Sequence, residues 1–170
     1  FQNVKGLGVA RIEEYWNKFN FDEKTNIDLP GESKGFFYGP KEREESTGRI
    51  WRIGDTYNIS IGQGDLAMTP LRLVSFTGAL GVGGEMKQPY VVAEVQDIAN
   101  NTILKFLPKN ILDFSYLAPE ILEVQKGLRA TVNSKDGTAN SMNDLPMPVS
   151  GKTGSAQILS NTKVNAFFVG

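Results

Sequence analysis

The 170 residues, 40% of them hydrophobic and 22% charged, have the composition of a globular chain of one domain and exclude a disordered polymer. Eighteen Lys and Arg against nineteen Asp and Glu leave a net charge of -1, too weak a field for phosphate backbones, so no nucleic-acid partner is expected. With neither Cys nor His present, thiolate nucleophiles, disulfides, Cys/His zinc sites and imidazole acid–base chemistry are all excluded. No metal or cofactor is expected, and hydroxyl, amine and carboxylate groups are left to carry any reaction.

Val9, Ile12, Trp16 and Phe19 recur at helical spacing, which predicts a helix from Leu7 to Phe19 with its aromatic stripe in a core. Residues 20–65 read as irregular, with turns at Asp28 to Glu32 and at Gly39 and Pro40. Within that stretch Lys41 to Glu45 read as a solvated surface or a short helix, and Tyr57 to Gly64 as a turn packed beneath a core. Thr69 and Pro70 mark a helix start, because the hydroxyl caps free amides and proline at the first helical position has none to satisfy. Leu73, Val74, Thr77 and Leu80 are expected on its inner face, and Gly81, Gly83 and Gly84 end it.

Tyr90 to Val95 and Ile103 to Phe106 are predicted strands joined across Asp97 to Asn101. Pro119 and Glu120 open another helix, with Ile121, Val124, Leu128 and Val132 at the inward period. Polar residues Asp136 to Asp144 then separate it from a strand beginning at Val149, a turn over Leu159 to Lys163, and a second strand over Val164 to Val169. Helices followed by a terminal hairpin indicate the α+β class, with helices packed on an antiparallel sheet. No apolar run approaches the roughly 20 residues that span a bilayer, and residues 1–10 lack a signal-peptide pattern, so any anchor or export signal is expected upstream of Phe1.

The segment richest in chemistry is Ser150, Gly151, Lys152, Thr153, Gly154, Ser155, Ala156, Gln157. A phosphate loop needs another glycine five positions before Gly151, where Pro146 stands, so that reading fails. As a strand, the segment sends Lys152 and Gly154 to one face and Thr153 and Ser155 to the other. A cleft-facing ammonium at Lys152 would orient a carboxylate and favour a serine alkoxide, Gly154 would let a ligand backbone approach, and the Ser155 hydroxyl could donate to a carboxylate.

Lys152 to Gln157 resembles the Lys-Thr-Gly motif of penicillin-binding proteins, with Ser155 where threonine is common. Thr25 to Glu32 resembles a second stretch of that family, differing at Asn26, where the family has glycine. Trp51, Gly54 to Asn58, Ile61 to Gly64 and Thr69 to Leu71 match its central signature, and Asn165 to Gly170 resembles the strand after the catalytic motif. The ordered matches cover nearly the whole chain. They resemble most closely the class B, elongation-type (penicillin-binding protein 2-like) peptidoglycan D,D-transpeptidases.

The resemblance implies a partial penicillin-binding/serine β-lactamase-like fold and, in the parent protein, cross-linking of peptidoglycan stem peptides through an acyl-serine at the extracytoplasmic face of the bacterial inner membrane. It implies β-lactams as ligands and the membrane-embedded elongation machinery as a partner. Lys152 is then the catalytic residue in this chain, and Thr153, Gly154 and Ser155 bind substrate or β-lactam. The alternative reading is a non-catalytic β-lactam-sensing or cell-wall-binding domain.

The family's Ser-x-x-Lys and Ser-x-Asn motifs are absent from their expected places before the Lys152 strand. Ser160 to Lys163 and Ser141 to Asn143 match them by letters but come too late in the chain order. Residues 1–170 are therefore expected to be the C-terminal part of a transpeptidase domain, truncated at both ends, with the nucleophilic serine upstream. Alone, the chain is expected to be inactive and poorly stable.

Overall fold

A computed structural model describes residues 6–158 and 163–170. In chain order the elements are α1 (Gly8–Lys18), β1 (Phe36–Phe37), α2 (Pro40–Thr47), α3 (Ile53–Ser60), β2 (Leu66–Ala67), α4 (Pro70–Gly81) and β3 (Glu85–Lys87). There follow β4 (Glu94–Gln96), β5 (Thr102–Lys105), β6 (Asn110–Asp113), α5 (Ala118–Asn133), β7 (Lys152–Ile158) and β8 (Lys163–Val169). The class is α+β, as expected, and the strands described form the pairs β1–β2, β3–β6, β4–β5 and β7–β8. The turn expected over Leu159 to Lys163 lies, apart from Lys163, outside the described residues.

The elements group into two compact units. The first holds residues up to Glu23, Lys34–Thr69 and Ala156–Asn165, and the second Lys24–Ser33, Pro70–Ser155 and Ala166–Gly170. In the first unit the helix predicted at the start forms, and Trp16 is its buried residue. The Trp16 ring meets Phe21 edge-on at 5.2 Å and Phe37 at 5.5 Å, so the aromatic stripe is core, as read from its spacing.

Two helices form within the stretch expected to be largely irregular over residues 20–65, and the first is the short-helix alternative read for Lys41 to Glu45. Pro40 begins α2, where its missing amide costs nothing, and Gly48 closes it at φ 68. Asp55 accepts the Arg52 amide at 2.8 Å to start α3, so Tyr57 to Ser60 are helical and only Ile61 to Gly64 turn. A helix without an apolar stripe shows no hydrophobic period, which left a solvated surface as the other reading of Lys41 to Glu45.

In the second unit α4 and α5 form where the Thr-Pro and Pro-Glu signals placed them. Their inner faces match the expected ones except at one position each, with Leu73, Thr77, Leu80 and Leu128 half-buried as expected. Val74 and Val124 are exposed, while Arg72 and Ala79 of α4 are buried, as are Ile121 and Val132 of α5. Gln125 takes Val124's expected place, its amide donating to the Leu80 carbonyl at 2.6 Å and tying α5 to α4. Met86 and Phe114 complete the core, with Phe76 stacked on Phe114 at 5.4 Å.

The β4–β5 hairpin forms across Asp97 to Asn101 as expected, but its first strand covers only Glu94–Gln96 and Tyr90 to Ala93 are not strand; Asp97 closes the turn by accepting the Ala99 and Asn101 amides at 2.8 Å each. The antiparallel β3–β6 pair, with a bulge between Met86 and Lys87, was not legible, because three or four residues are too few to show alternation.

A second polar knot organises the Thr25 to Glu32 loop. The Glu32 carboxylate accepts the Thr25 amide and hydroxyl, both at 2.7 Å, and the Asn26 amide at 2.9 Å. Asp28 accepts the amides of Val91 and Val92 at 2.7 and 2.8 Å, and Arg72 donates to the Lys24 carbonyl at 2.8 Å. Asn26 sits at φ 59, in the left-handed region that glycine enters freely and asparagine tolerates, which explains the difference from the family pattern.

Ile50, Ile61, Leu107 and Met147 are among the large apolar side chains left in solvent.

Burial alone would raise the Glu32 pKa, but hydrogen bonds from the Thr25 hydroxyl and the Thr25, Asn26 and Ile27 amides outweigh it and hold the group below its ordinary 4.5. A depressed folded pKa contributes stability that is complete above the unfolded value and lost as pH falls through the folded one. In the full-length protein, stability should therefore decline as pH drops below 4.5. Glu32→Gln should cost about 1–2 kcal/mol at neutral pH and flatten that decline, as measured by denaturant unfolding across pH.

Candidate functional site

β7 carries the sequence-predicted site, and one close approach sets its position. Gly151, immediately before the strand, is buried, and its amide donates to the Leu128 carbonyl of α5 at 3.0 Å. A Cβ there would stand 2.4 Å from Phe168 Cζ and 2.6 Å from the Val169 carbonyl oxygen, so only glycine lets the start of β7 lie this close to β8. Arg129 of α5 reinforces the entry by donating to the Val149 carbonyl at 2.6 Å. The start of β7 is thus fixed to a helix and to its partner strand within the second unit.

From that anchor the strand presents its polar groups. Lys152 is exposed, its ammonium donating to the Thr153 carbonyl at 2.5 Å. Thr153 is half-buried, with its hydroxyl 2.7 Å from that of Thr138. Gly154 and Ser155 are exposed. A Cβ on Gly154 would meet nothing nearer than Phe167 Cβ at 3.9 Å, so the protein's own packing does not require glycine at this position. Space lies over the backbone there, where a ligand main chain could pair with the strand.

Thr138 is the neighbour that the sequence concealed. The stretch Asp136 to Asp144, expected only to separate helix from strand, is sewn onto α5. The Ala139 amide donates to the Thr131 carbonyl at 3.0 Å, and the Asn140 side chain donates to Val132 and Ser134 carbonyls at 3.2 and 2.9 Å. A threonine in a polar stretch carries no periodic signal, so its pairing with Thr153 was visible only in three dimensions. Ser141, which matches the Ser-x-Asn motif by letters, lies exposed in the short 3₁₀ turn Asn140–Met142, and Ser160, which matches Ser-x-x-Lys, lies outside the described residues.

Of the central-signature residues, Trp51, Asp55 and Thr56 make contacts that hold the first unit together. Arg43 binds Asp55 at 2.7 Å and Asp65 at 3.3 Å while its guanidinium sits 5.4 Å from the Trp51 ring, and the Trp51 indole donates to Thr56 at 2.9 Å. The Arg43 hydrogen bond, then the Arg52 amide, hold the Asp55 carboxyl below its ordinary value. These contacts join α2 to α3. Among the described residues no cluster of Asp or Glu could hold a metal ion, and no helix is long and apolar enough to cross a membrane.

A family model for the penicillin-binding protein transpeptidase domain matches residues 1–170, and the chain belongs to that family. It is 27% identical over 154 residues to the peptidoglycan D,D-transpeptidase MrdA of Acinetobacter baumannii, covering 91% of this chain and 22% of the relative. Penicillin-binding protein H of Bacillus subtilis is 30% identical over 154 residues, covering 88% of the chain and 20% of the relative. The chain thus spans about a fifth of the length of these curated relatives.

Among solved structures, Helicobacter pylori PBP2, in a complex with MreC, superposes with a TM-score of 0.77 at 27% identity, covering 95% of this chain and 28% of that one. Pseudomonas aeruginosa PBP2 shares the fold, with a TM-score of 0.75 at 24% identity over 95% of this chain and 36% of that one.

The two glycines flanking Lys152 and Thr153 separate packing from binding. In the full-length protein Gly151→Ala should cost about 3 kcal/mol through overpacking, whereas Gly154→Ala should stay within about 0.5 kcal/mol of wild type. Gly154→Ala should instead weaken capture of a fluorescent penicillin about tenfold by crowding the strand edge. Thermal unfolding and acylation assays run side by side measure the two effects.

Proposed function

We propose that this chain supplies one wall of the active site of a peptidoglycan D,D-transpeptidase of the elongation type, acting through an acyl-serine on stem peptides ending in D-Ala-D-Ala. The observation that carries the reading is an exposed basic and hydroxylic strand edge, held rigidly at Gly151, in a chain whose family match runs from end to end. In this reading the nucleophilic serine belongs to parts of the protein outside these residues. It attacks the carbonyl of the penultimate D-Ala, the terminal D-Ala departs, and an amine of a second stem peptide takes the acyl group.

The roles of the strand follow from its chemistry. Lys152 contributes positive charge beside the reacting serine, which favours alkoxide character and offsets the oxyanion that develops in the transition state. Thr153 and Ser155 donate hydroxyl hydrogen bonds to the terminal carboxylate, and Gly154 leaves room for the peptide backbone. A β-lactam, with a carboxylate next to its strained amide, occupies the same groups and leaves a stable acyl-serine. Relatives named as peptidoglycan D,D-transpeptidases support the substrate class.

The parent protein is placed, in the same reading, at the extracytoplasmic face of the inner membrane with the elongation machinery. The similarity to a PBP2 solved with MreC supports that partner class.

In the full-length protein Lys152→Ala should slow acylation by a fluorescent penicillin two to three decades, about 3 kcal/mol in the transition state. Stopped-flow acylation measures it, and an unchanged rate would remove Lys152 from the mechanism.

A further inference from the structure

The Thr138 and Thr153 hydroxyls stand 2.7 Å apart, and either can donate to the other. Each has one proton and two lone pairs, so the direction of this one bond decides what Thr153 offers to a ligand. If Thr153 donates to Thr138, it turns only lone pairs toward an incoming anion. If Thr138 donates to Thr153, the Thr153 proton points away from the pair and can be given to a carboxylate. The second arrangement also polarises the Thr153 O–H, which strengthens the outward bond.

Thr138 is held tightly enough to serve this purpose. A Cβ on Gly137 would stand 2.3 Å from the Thr131 carbonyl oxygen, and the Gly137 amide donates to the Ser134 carbonyl at 2.9 Å. On the other side Ala139 is buried and bonded to the Thr131 carbonyl. The residue between them has little freedom to move away from β7. Thr153 is equally constrained, since its strand begins at the Gly151 anchor on α5.

We propose that Thr138 is a positioning residue for anionic ligands, its hydroxyl donating to Thr153 so that the Thr153 proton is reserved for the ligand's carboxylate. The inference rests on the reading of β7 as a carboxylate-binding strand. An arriving carboxylate selects the outward-donating arrangement, because a charge-assisted hydrogen bond is stronger than a neutral one. Thr138 never touches the ligand, and its contribution is confined to ligands that carry the negative charge.

The experiment compares benzylpenicillin with its methyl ester on the full-length protein, measuring reversible affinity and the acylation rate constant for each. Thr138→Val keeps the branched shape and removes the hydroxyl. It should weaken affinity for the acid about tenfold while the ester's affinity and the acylation rate constants stay within about twofold. Thr138→Ser should restore the wild-type preference for the acid.

A merely structural role for Thr138 would weaken acid and ester alike, so an unchanged acid-to-ester ratio in Thr138→Val overturns the proposal. Should Thr138→Val unfold at lower temperature, Thr138→Ala must lose the same ratio, and a ratio kept by the alanine variant overturns it as well. Thr153→Val separates the two levels: if it leaves the acid's affinity intact, the reading of β7 itself fails, whatever Thr138 does.

Discussion

The site depends on one close approach that only a residue without a Cβ allows. Gly151 lets the start of β7 lie against the Phe168 ring and the Val169 carbonyl at distances that any Cβ would forbid, while its amide donates to the Leu128 carbonyl of α5. Because the chain cannot slide past that point, Lys152 and Thr153 have a fixed register relative to α5 and to the loop that carries Thr138. A strand shifted by one residue would reverse which of them faces the loop. Backbone packing thus sets the chemistry of the neighbouring side chains.

A different kind of constraint acts away from β7. The Thr25 to Glu32 loop has little apolar content and is held by charge-assisted bonds to backbone amides, with Arg72 and Asp28 tying it to α4 and to the chain before β4. Such bonds are directional and specify one conformation, whereas the apolar contacts of Met86, Phe114 and Val132 supply area without much orientation. The family-signature residues around Trp51 and Asp55 work in the same way within the first unit. Motifs that look functional by their spelling can therefore be devices for holding loops and helix ends.

How much was legible in the sequence follows from this division. α1, α4, α5 and the β4–β5 hairpin could be read because apolar period, proline at a first helical turn and an Asp/Asn turn are local signals. α2 was legible only as one of two readings of Lys41 to Glu45, because it lacks an apolar stripe, and α3 was hidden because it starts on an Asp55 cap preceded by arginine. The exchange of Val124 for Gln125 on the inner face shows the limit of a hydrophobicity argument, since a half-buried amide with a good acceptor competes with an aliphatic chain. Lys152 to Ser155 could be named as candidates from the sequence, but their neighbour Thr138 could not, because its partner lies fifteen residues away across a loop without a pattern.

The central claim is that β7 receives the ligand's carboxylate on its hydroxyls. A crystal structure of the full-length protein acylated by benzylpenicillin tests it most directly. The account predicts the carboxylate oxygens within about 3.0 Å of the Thr153 and Ser155 hydroxyls, with the ligand backbone lying over Gly154. An acylated protein whose carboxylate is held by other groups, with the hydroxyls of β7 unengaged, would contradict it.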